Sequence, residues 1–340
     1  MKVVVLIPAY NPDEKLLDTL KTQHDAGFDS FVLVDDGSRP DCEPIFRKAS
    51  AFPGVSIVRH SINCGKGRAL KTGFNTILQL YPDTVGVISC DADGQHPIEA
   101  MIAVSKAMEE HPDSLVLGVR EFLKGKNVPL PNLVGNMITR FVFKLVTGIY
   151  FKDTQCGLRG FPISVVKQMI TVEGERFDYE NKMLLAVRER RIPVVQIPME
   201  AVYIGNNETS HFDRVQDSLR IYKTILGFAV LPIIGALVSF LLYFYLRDLF
   251  TPFYGPWISY AIGLAAGYLF LLFSLPRKKV IPGILLFTLL GSIAVTCMAA
   301  LHIAHLYPTG IWFILAIPLG AMNYCVWLNL RYGNKPQNIY

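Results

Sequence analysis

Asp91-Ala92-Asp93 places two carboxylates two residues apart, directly after the apolar run Val85 to Ser89. On a tight turn that spacing lets both groups share one divalent cation, or lets one bind the ion and the other a ribose hydroxyl. Mg2+ and Mn2+ take such oxygen ligands together with substrate phosphates. Acidic pairs are common on soluble surfaces, so the neighbours matter: this one sits inside Cys90-Asp91-Ala92-Asp93-Gly94-Gln95-His96-Pro97. A second acidic turn, Asp35-Asp36-Gly37-Ser38, follows the apolar run Phe31 to Val34. Gly65-Lys66-Gly67 has neither the Walker nor the dinucleotide glycine spacing. It reads either as a tight turn opening a helix or as a helix start that favours a diphosphate. His96 and His211, far apart in sequence, read more readily as hydrogen-bonded structural residues than as metal ligands. Glu180 reads as an acidic charge early in a helix, favourable to its dipole.

The elements that would position these groups alternate. Val3 to Ile7 is an all-apolar strand ending at Pro8, Pro12 to Ala26 reads as a helix, and Phe31 to Val34 repeats the strand signal. Val55 to Val58, a helix from Gly67 to Leu80, and Val85 to Ser89 continue the pattern. Alternation of this kind predicts an α/β fold with a doubly wound, mostly parallel sheet. Ligands of such sheets collect outside the carboxyl ends of the strands, where both acidic turns would lie. Residues 120–131, with Gly125, Pro129 and Pro131, read as a loop. Asn132 to Lys152, apolar with Arg140, Lys144 and Lys152, fits a helix in a membrane interface or an amphipathic helix packed on the sheet.

Composition changes near residue 224. Of the 61 Asp, Glu, Lys and Arg residues, seven lie beyond it. Ile225 to Leu246 is free of charge over 22 residues, reaching about 33 Å as a helix. The expected domains are therefore 1–210, an α/β head; 211–224, an interfacial helix; and 225–335, four transmembrane helices at about 225–246, 257–275, 281–303 and 311–330. Arg277, Lys278 and Lys279, and then Arg331 and Lys335, occupy the short segments after the second and fourth runs. The positive-inside rule then sets the head and both termini in the cytosol, in a multi-pass cell-membrane protein. Six cysteines without a CxxC pair fit reduced thiols. A net charge of +5 without a basic, aromatic-interleaved module argues against nucleic acid as a partner; a lipid bilayer accounts for it better.

The motifs in order are Ile7-Pro8-Ala9-Tyr10-Asn11, Val34-Asp35-Asp36-Gly37-Ser38, Asn63-Cys64-Gly65-Lys66-Gly67 and the segment from Cys90 to Pro97. Gly135-Asn136 with Arg140, Asp153-Thr154-Gln155-Cys156-Gly157-Leu158-Arg159, and Glu208-Thr209-Ser210-His211-Phe212 follow. In this order they resemble a family 2 glycosyltransferase of the GT-A fold, near the polyprenyl-phosphate sugar transferases such as the dolichol-phosphate mannose synthases. The tail resembles a GtrA-like four-span domain. The resemblance implies that Pro8, Tyr10, Asn11, Asp35, Asp36, Lys66, Cys90, Asp91, Ala92, Asp93, Gln95, Arg120, Ser210 and His211 bind a nucleotide sugar. It implies Asp91, Asp93 and Gln95 as ligands of Mg2+ or Mn2+, and Asp91, Asp93, Arg120, Arg140 and Arg159 as catalytic groups. Two positions depart from the family: Pro12 stands where it has Glu, and His211 where it has Lys.

What the resemblance implies is inverting transfer of one sugar from a UDP- or GDP-sugar to polyprenyl phosphate, with undecaprenyl phosphate foremost, for cell-envelope glycan modification. An acceptor phosphate is already ionised near neutral pH, so positioning and electrostatics would carry the reaction. A processive synthase is disfavoured because Gln-x-x-Arg-Trp is absent. Transfer to another membrane lipid, and a transport or scaffold role for a lipid-linked sugar, are the competing readings. Such transferases often form homo-oligomers, and no coiled-coil heptad signals one here.

Overall fold

The computed structural model describes residues 3–120, 140, 143–144, 149–200 and 338–339. The chain divides into two compact units, residues 1–144 with 149–224 and 336–340, and residues 145–148 with 225–335; every described residue belongs to the first. Its elements alternate as the apolar runs require: β1 (Val3–Ala9), α1 (Lys15–Asp25), β2 (Phe31–Asp35), α2 (Glu43–Ser50), β3 (Val55–Arg59), α3 (Lys66–Leu80), β4 (Gly86–Ser89), α4 (Ile98–Glu110) and β5 (Leu115–Arg120). Then come β6 (Arg159–Pro162), α5 (Ile163–Met169), α6 (Asp178–Arg190), β7 (Val194–Met199) and β8 (Asn338–Ile339).

These strands form one sheet in the order β3-β2-β1-β4-β6-β5-β7-β8. Strand β6 runs antiparallel to both β4 and β5, and the other described pairs are parallel. The mostly parallel α/β sheet agrees with the sequence reading. Strand β6 is the exception that the pattern does not announce: Arg159-Gly160-Phe161-Pro162 mixes a charge, a glycine and a proline, so it has no strand-like run of β-branched residues. Helix α1 starts three residues later than expected. Asn11 takes a left-handed φ of 48°, so the chain turns before it can coil.

The central strands are packed on both faces. Val3 to Ile7 are at most 2% exposed and Phe31 to Val34 at most 1%, and each buried side chain of this size contributes roughly 1.5–3 kcal/mol. Helix α3 lies so close to β1 that a Cβ on Gly73 would come within 2.1 Å of Leu6 Cδ1. That contact explains a glycine inside a helix, where it costs about 1 kcal/mol relative to alanine. The result is a rigid centre that fixes where β1, β2 and β4 end.

Strand β1 has β2 on one side and β4 on the other. The connections therefore leave β1 and β4 in opposite directions, which opens a crevice at their carboxyl ends. Both acidic turns sit at that edge. Residues 121–131 of the expected loop, most of the helix expected between Asn132 and Lys152, the interfacial helix 211–224 and the four spans lie outside the described residues. Among the described residues no helix is long and apolar enough to cross a membrane.

Candidate active site at the carboxyl edge of the sheet

The turn after β2 is organised by side chains that bind backbone. Asp35 Oδ1 accepts the Ser38 N–H at 2.9 Å, and its Oδ2 lies 2.8 Å from Arg59 Nε. Ser38 Oγ accepts the Asn11 N–H at 2.9 Å, and Asn11 Oδ1 accepts the Arg39 N–H at 2.9 Å. Asn11 thus joins the loops after β1 and β2. Asp36 turns inward: its Oδ1 accepts the Cys64 N–H at 2.9 Å and its Oδ2 the Gly65 N–H at 2.7 Å. His60 Nδ1 lies 2.7 Å from Asp36 Oδ1, and His60 Nε2 lies 2.9 Å from Thr72 Oγ1. Both carboxylates are buried, but they differ in what holds them. The Arg59 side chain beside Asp35 is half exposed and also pairs with Glu43 Oε2 at 2.8 Å, whereas Asp36 is held by backbone N–H groups. Asp36 therefore shapes the turn and is poorly placed to touch a nucleotide.

The turn after β4 is built the other way. Lys66 Nζ lies 2.7 Å from Asp91 Oδ1 and 3.1 Å from Glu180 Oε1, and His96 Nε2 lies 3.4 Å from Asp91 Oδ2. That last contact is an ion-pair distance without hydrogen-bond alignment, since neither His96 ring nitrogen has a hydrogen-bond partner among the described residues. Burial by itself would raise the Asp91 carboxyl, but Lys66 and His96 more than offset it and hold it well below the usual carboxylate range. Lys66 shows the converse: burial opposes its charge, yet Asp91 and Glu180 hold it above the usual lysine range. For Asp93, Lys66 and His96 act more weakly and do not offset the opposing effects. Its Oδ1 accepts the Gln95 N–H at 3.1 Å, and burial together with the neighbouring Asp91 charge raises its pKa.

Backbone close approach sets the floor of this turn. Ser89 Oγ donates to the Gly157 carbonyl at 2.9 Å, and a Cβ at position 157 would lie 2.4 Å from Asp91 Oδ2. A side chain at position 157 would therefore push the carboxylate aside. The glycines around Lys66 have a similar reason. Gly65 has φ 100°, and a Cβ there would meet the Glu175 carbonyl at 2.6 Å; a Cβ at Gly67 would meet Tyr179 Cβ at 2.5 Å. These glycines let the segment entering α6 rest on the start of α3. That packing brings Glu180 to Lys66, a role for Glu180 that its position early in a helix did not reveal.

The basic residues divide into three environments. Arg120, at the end of β5, forms a forked pair with Asp153, Nε to Oδ2 at 2.7 Å and Nη2 to Oδ1 at 3.2 Å. Arg140 donates to the Tyr150 hydroxyl, and its guanidinium lies 5.3 Å from the centre of that ring. Arg159 is 1% exposed and donates to the carbonyls of Cys156 at 3.1 Å and Glu180 at 2.8 Å. Named by the resemblance as a catalytic group, it ties the 154–157 loop to α6 through these bonds. Cys90, which the resemblance implies at the nucleotide sugar, is also internal. Its thiol is 1% exposed, accepts from Gln23 Nε2 at 3.4 Å, and is pushed up to about 12 chiefly by burial, so it faces the core. Pro8, Tyr10, Ala92 and Gln95 are half-buried at the same edge. Ser210 and His211 lie outside the described residues.

Whether these residues fit Mg2+ or Mn2+ turns on which carboxylate keeps its charge disfavoured. Asp91 is already paired with Lys66. Asp93 is the group whose ionised form burial and a like charge disfavour, and a divalent cation there would remove that penalty. The hard oxygens of Asp93 and the Gln95 amide suit either ion. The fit is therefore to Asp93 and Gln95, with Asp91 held by Lys66.

Comparison with known proteins agrees with this arrangement. Residues 4–169 match Glycosyl transferase family 2. The chain is 30% identical over 205 residues to an uncharacterized protein of Methanocaldococcus jannaschii, covering 59% of this chain and 82% of that one. It is 26% identical over 220 residues to UDP-N-acetylglucosamine--dolichyl-phosphate N-acetylglucosaminyltransferase of Methanococcus voltae, covering 59% and 86%. It is also 26% identical over 212 residues to undecaprenyl-phosphate mannosyltransferase of Micrococcus luteus, covering 59% and 84%. With an acidic turn after β4 set at the switch point of a mostly parallel sheet, the chain belongs to glycosyl transferase family 2 and is a glycosyltransferase.

Proposed function

We propose that this glycosyltransferase moves one sugar from a UDP- or GDP-sugar to a polyprenyl phosphate, undecaprenyl phosphate foremost, at the cytosolic face of a membrane. The observation that carries the reading is the edge constellation: Asp35 beside the half-exposed Arg59, and Asp93, its charge disfavoured by burial and by Asp91, next to an Asp91 that Lys66 balances. The acceptor class is supported by the dolichyl-phosphate and undecaprenyl-phosphate relatives and by the charge-poor stretch after residue 224. Strand β8 pairs with β7, Val194 with Asn338 and Val195 with Ile339.

In this reading Asp35 accepts a hydrogen bond from the base or ribose once Arg59 moves aside. Lys66 and Gly157 keep Asp91 ionised and in one orientation. A divalent ion held by Asp93 and Gln95 would supply the positive charge that stabilises the departing diphosphate. The acceptor phosphate is ionised near neutral pH, so no side chain has to remove a proton from it. Arg120, braced by Asp153, and Arg140, beside Tyr150, are the basic groups for donor and acceptor phosphates. Attack from behind the anomeric carbon would invert it.

The test is incubation of the detergent-solubilised full chain with Mg2+ or Mn2+, undecaprenyl phosphate and a panel of radiolabelled UDP- and GDP-sugars, with Asp93→Ala as control. Label that enters the lipid phase with the wild type alone supports the reading and names the donor. Binding of a nucleotide sugar without any transfer across the panel would overturn the choice of acceptor.

A further inference from the structure

The turn after β2 holds a second set of metal-ligating groups that the transfer reaction does not use. Asp36, His60 and Cys64 each offer one ligand atom, and the three atoms lie within 4.8 Å of one another. We propose that Asp36, His60 and Cys64 bind a borderline or soft divalent cation of the Zn2+ class, at a site separate from Asp93. The proposal does not rest on the glycosyl-transfer reading.

The donor set is the first argument. One carboxylate oxygen, one imidazole nitrogen and one sulfur suit Zn2+ or Co2+, whereas Mg2+ and Mn2+ prefer oxygen alone. With metal–ligand distances of about 2.0–2.3 Å, a tetrahedral site needs ligand atoms roughly 3.4–3.6 Å apart. The His60 Nδ1 to Asp36 Oδ1 separation of 2.7 Å must open by under 1 Å, and Cys64 Sγ, within 4.8 Å of the other two atoms, must close by at most about 1.4 Å. Only side-chain rotation is needed, because Cys64 Sγ is otherwise engaged by a single 3.4 Å contact to the Ile62 carbonyl. A water would complete the tetrahedron.

Preorganisation is the second argument. Two backbone N–H groups, of Cys64 and Gly65, hold the Asp36 carboxylate in place. Thr72 Oγ1 holds the far nitrogen of His60. Support of this kind is what a metal-bound imidazole and carboxylate ordinarily have around them. In the metal-free protein His60 Nδ1 donates to Asp36, because a carboxylate can only accept. On binding, the neutral ring moves its proton to Nε2, Thr72 Oγ1 becomes the acceptor, and the Cys64 thiol releases one proton to solvent. The bound ion would then brace the loop that delivers Gly65 and Lys66 to α3.

The experiment is Co2+ titration of the chelator-stripped full chain in detergent, followed by absorbance. The expected result is one equivalent per chain giving a near-ultraviolet thiolate-to-Co2+ band, which is lost in Cys64→Ser, displaced by Zn2+ and untouched by Mg2+. His60→Gln should weaken Co2+ binding about 100-fold. Cys64→Ser should leave thermal unfolding of the metal-free protein unchanged, so loss of the band cannot be a folding effect. Absence of a thiolate band in the wild type, or its survival in Cys64→Ser, would overturn the site.

Discussion

The two acidic turns at the carboxyl edge look alike in sequence and behave differently in space. Each follows a buried strand, and each carries two aspartates. After β2, Asp36 is fixed by two backbone N–H groups and a histidine, so its charge is used to build the loop. After β4, Asp91 is balanced by Lys66 while Asp93 is left with a raised pKa and one backbone bond. The difference teaches that two turns of the same pattern can set their aspartates in opposite environments: fixed backbone donors orient Asp36, while burial and a like charge disfavour the ionised form of Asp93.

Substitutions can break this contrast. The largest effect should come from Asp93→Asn, which removes the oxygen charge set for a cation. Sugar transfer should fall about 100- to 1000-fold while circular dichroism stays unchanged; activity within threefold of wild type would place the chemistry elsewhere. Asp36→Ala should do the reverse in kind, because it strands buried donors. A loss of about 3 kcal/mol, read as a lower thermal midpoint of the head, is expected.

Gly157→Ala asks whether Asp91 must be placed exactly where the backbone of the 154–157 loop allows. A methyl 2.4 Å from Asp91 Oδ2 has to displace the carboxylate, and a shift near 1 Å should lower turnover about 100-fold with a smaller change in stability. A fully active Gly157→Ala enzyme would remove Asp91 placement from the account.

The smallest effect has the most telling sign. Burial and Asp91 raise the folded-state pKa of Asp93, so its stabilising contribution is complete at pH below the unfolded value and is lost as pH rises through the folded one. In chelator at neutral pH, Asp93→Asn should therefore melt slightly higher than wild type, with the gap closing in acid. For Asp91 the sign is opposite: its lowered pKa contributes stability above the unfolded value, and that is lost only as pH falls through the folded one. Asp91→Asn should melt lower at neutral pH. Calorimetry across the acid range separates the two.

Much of the arrangement was legible from residue order. Unbroken apolar runs such as Val3 to Ile7 and Phe31 to Val34 can only be buried strands, and acidic turns that follow such strands must lie at their carboxyl ends. Glu180 was not legible, because its helix is 114 residues beyond Lys66 in the chain, and only packing through Gly65 and Gly67 joins them. The burial of Arg159 and Cys90 was not legible for a related reason: a charge or thiol inside a motif does not announce which face of the sheet it will take.

The sequence by itself determined the class of fold and the edge at which chemistry collects, because these follow from local patterns of polarity and turn residues; the family of the reaction was implied by the resemblance its motifs carry in their order. Only the tertiary structure decided how the four aspartates divide their work. That division depends on which donors and cations lie within about 3 Å of each carboxylate, and those neighbours come from segments far apart in the chain, brought together by the packing of α3 and α6 and by β6 lying against β4.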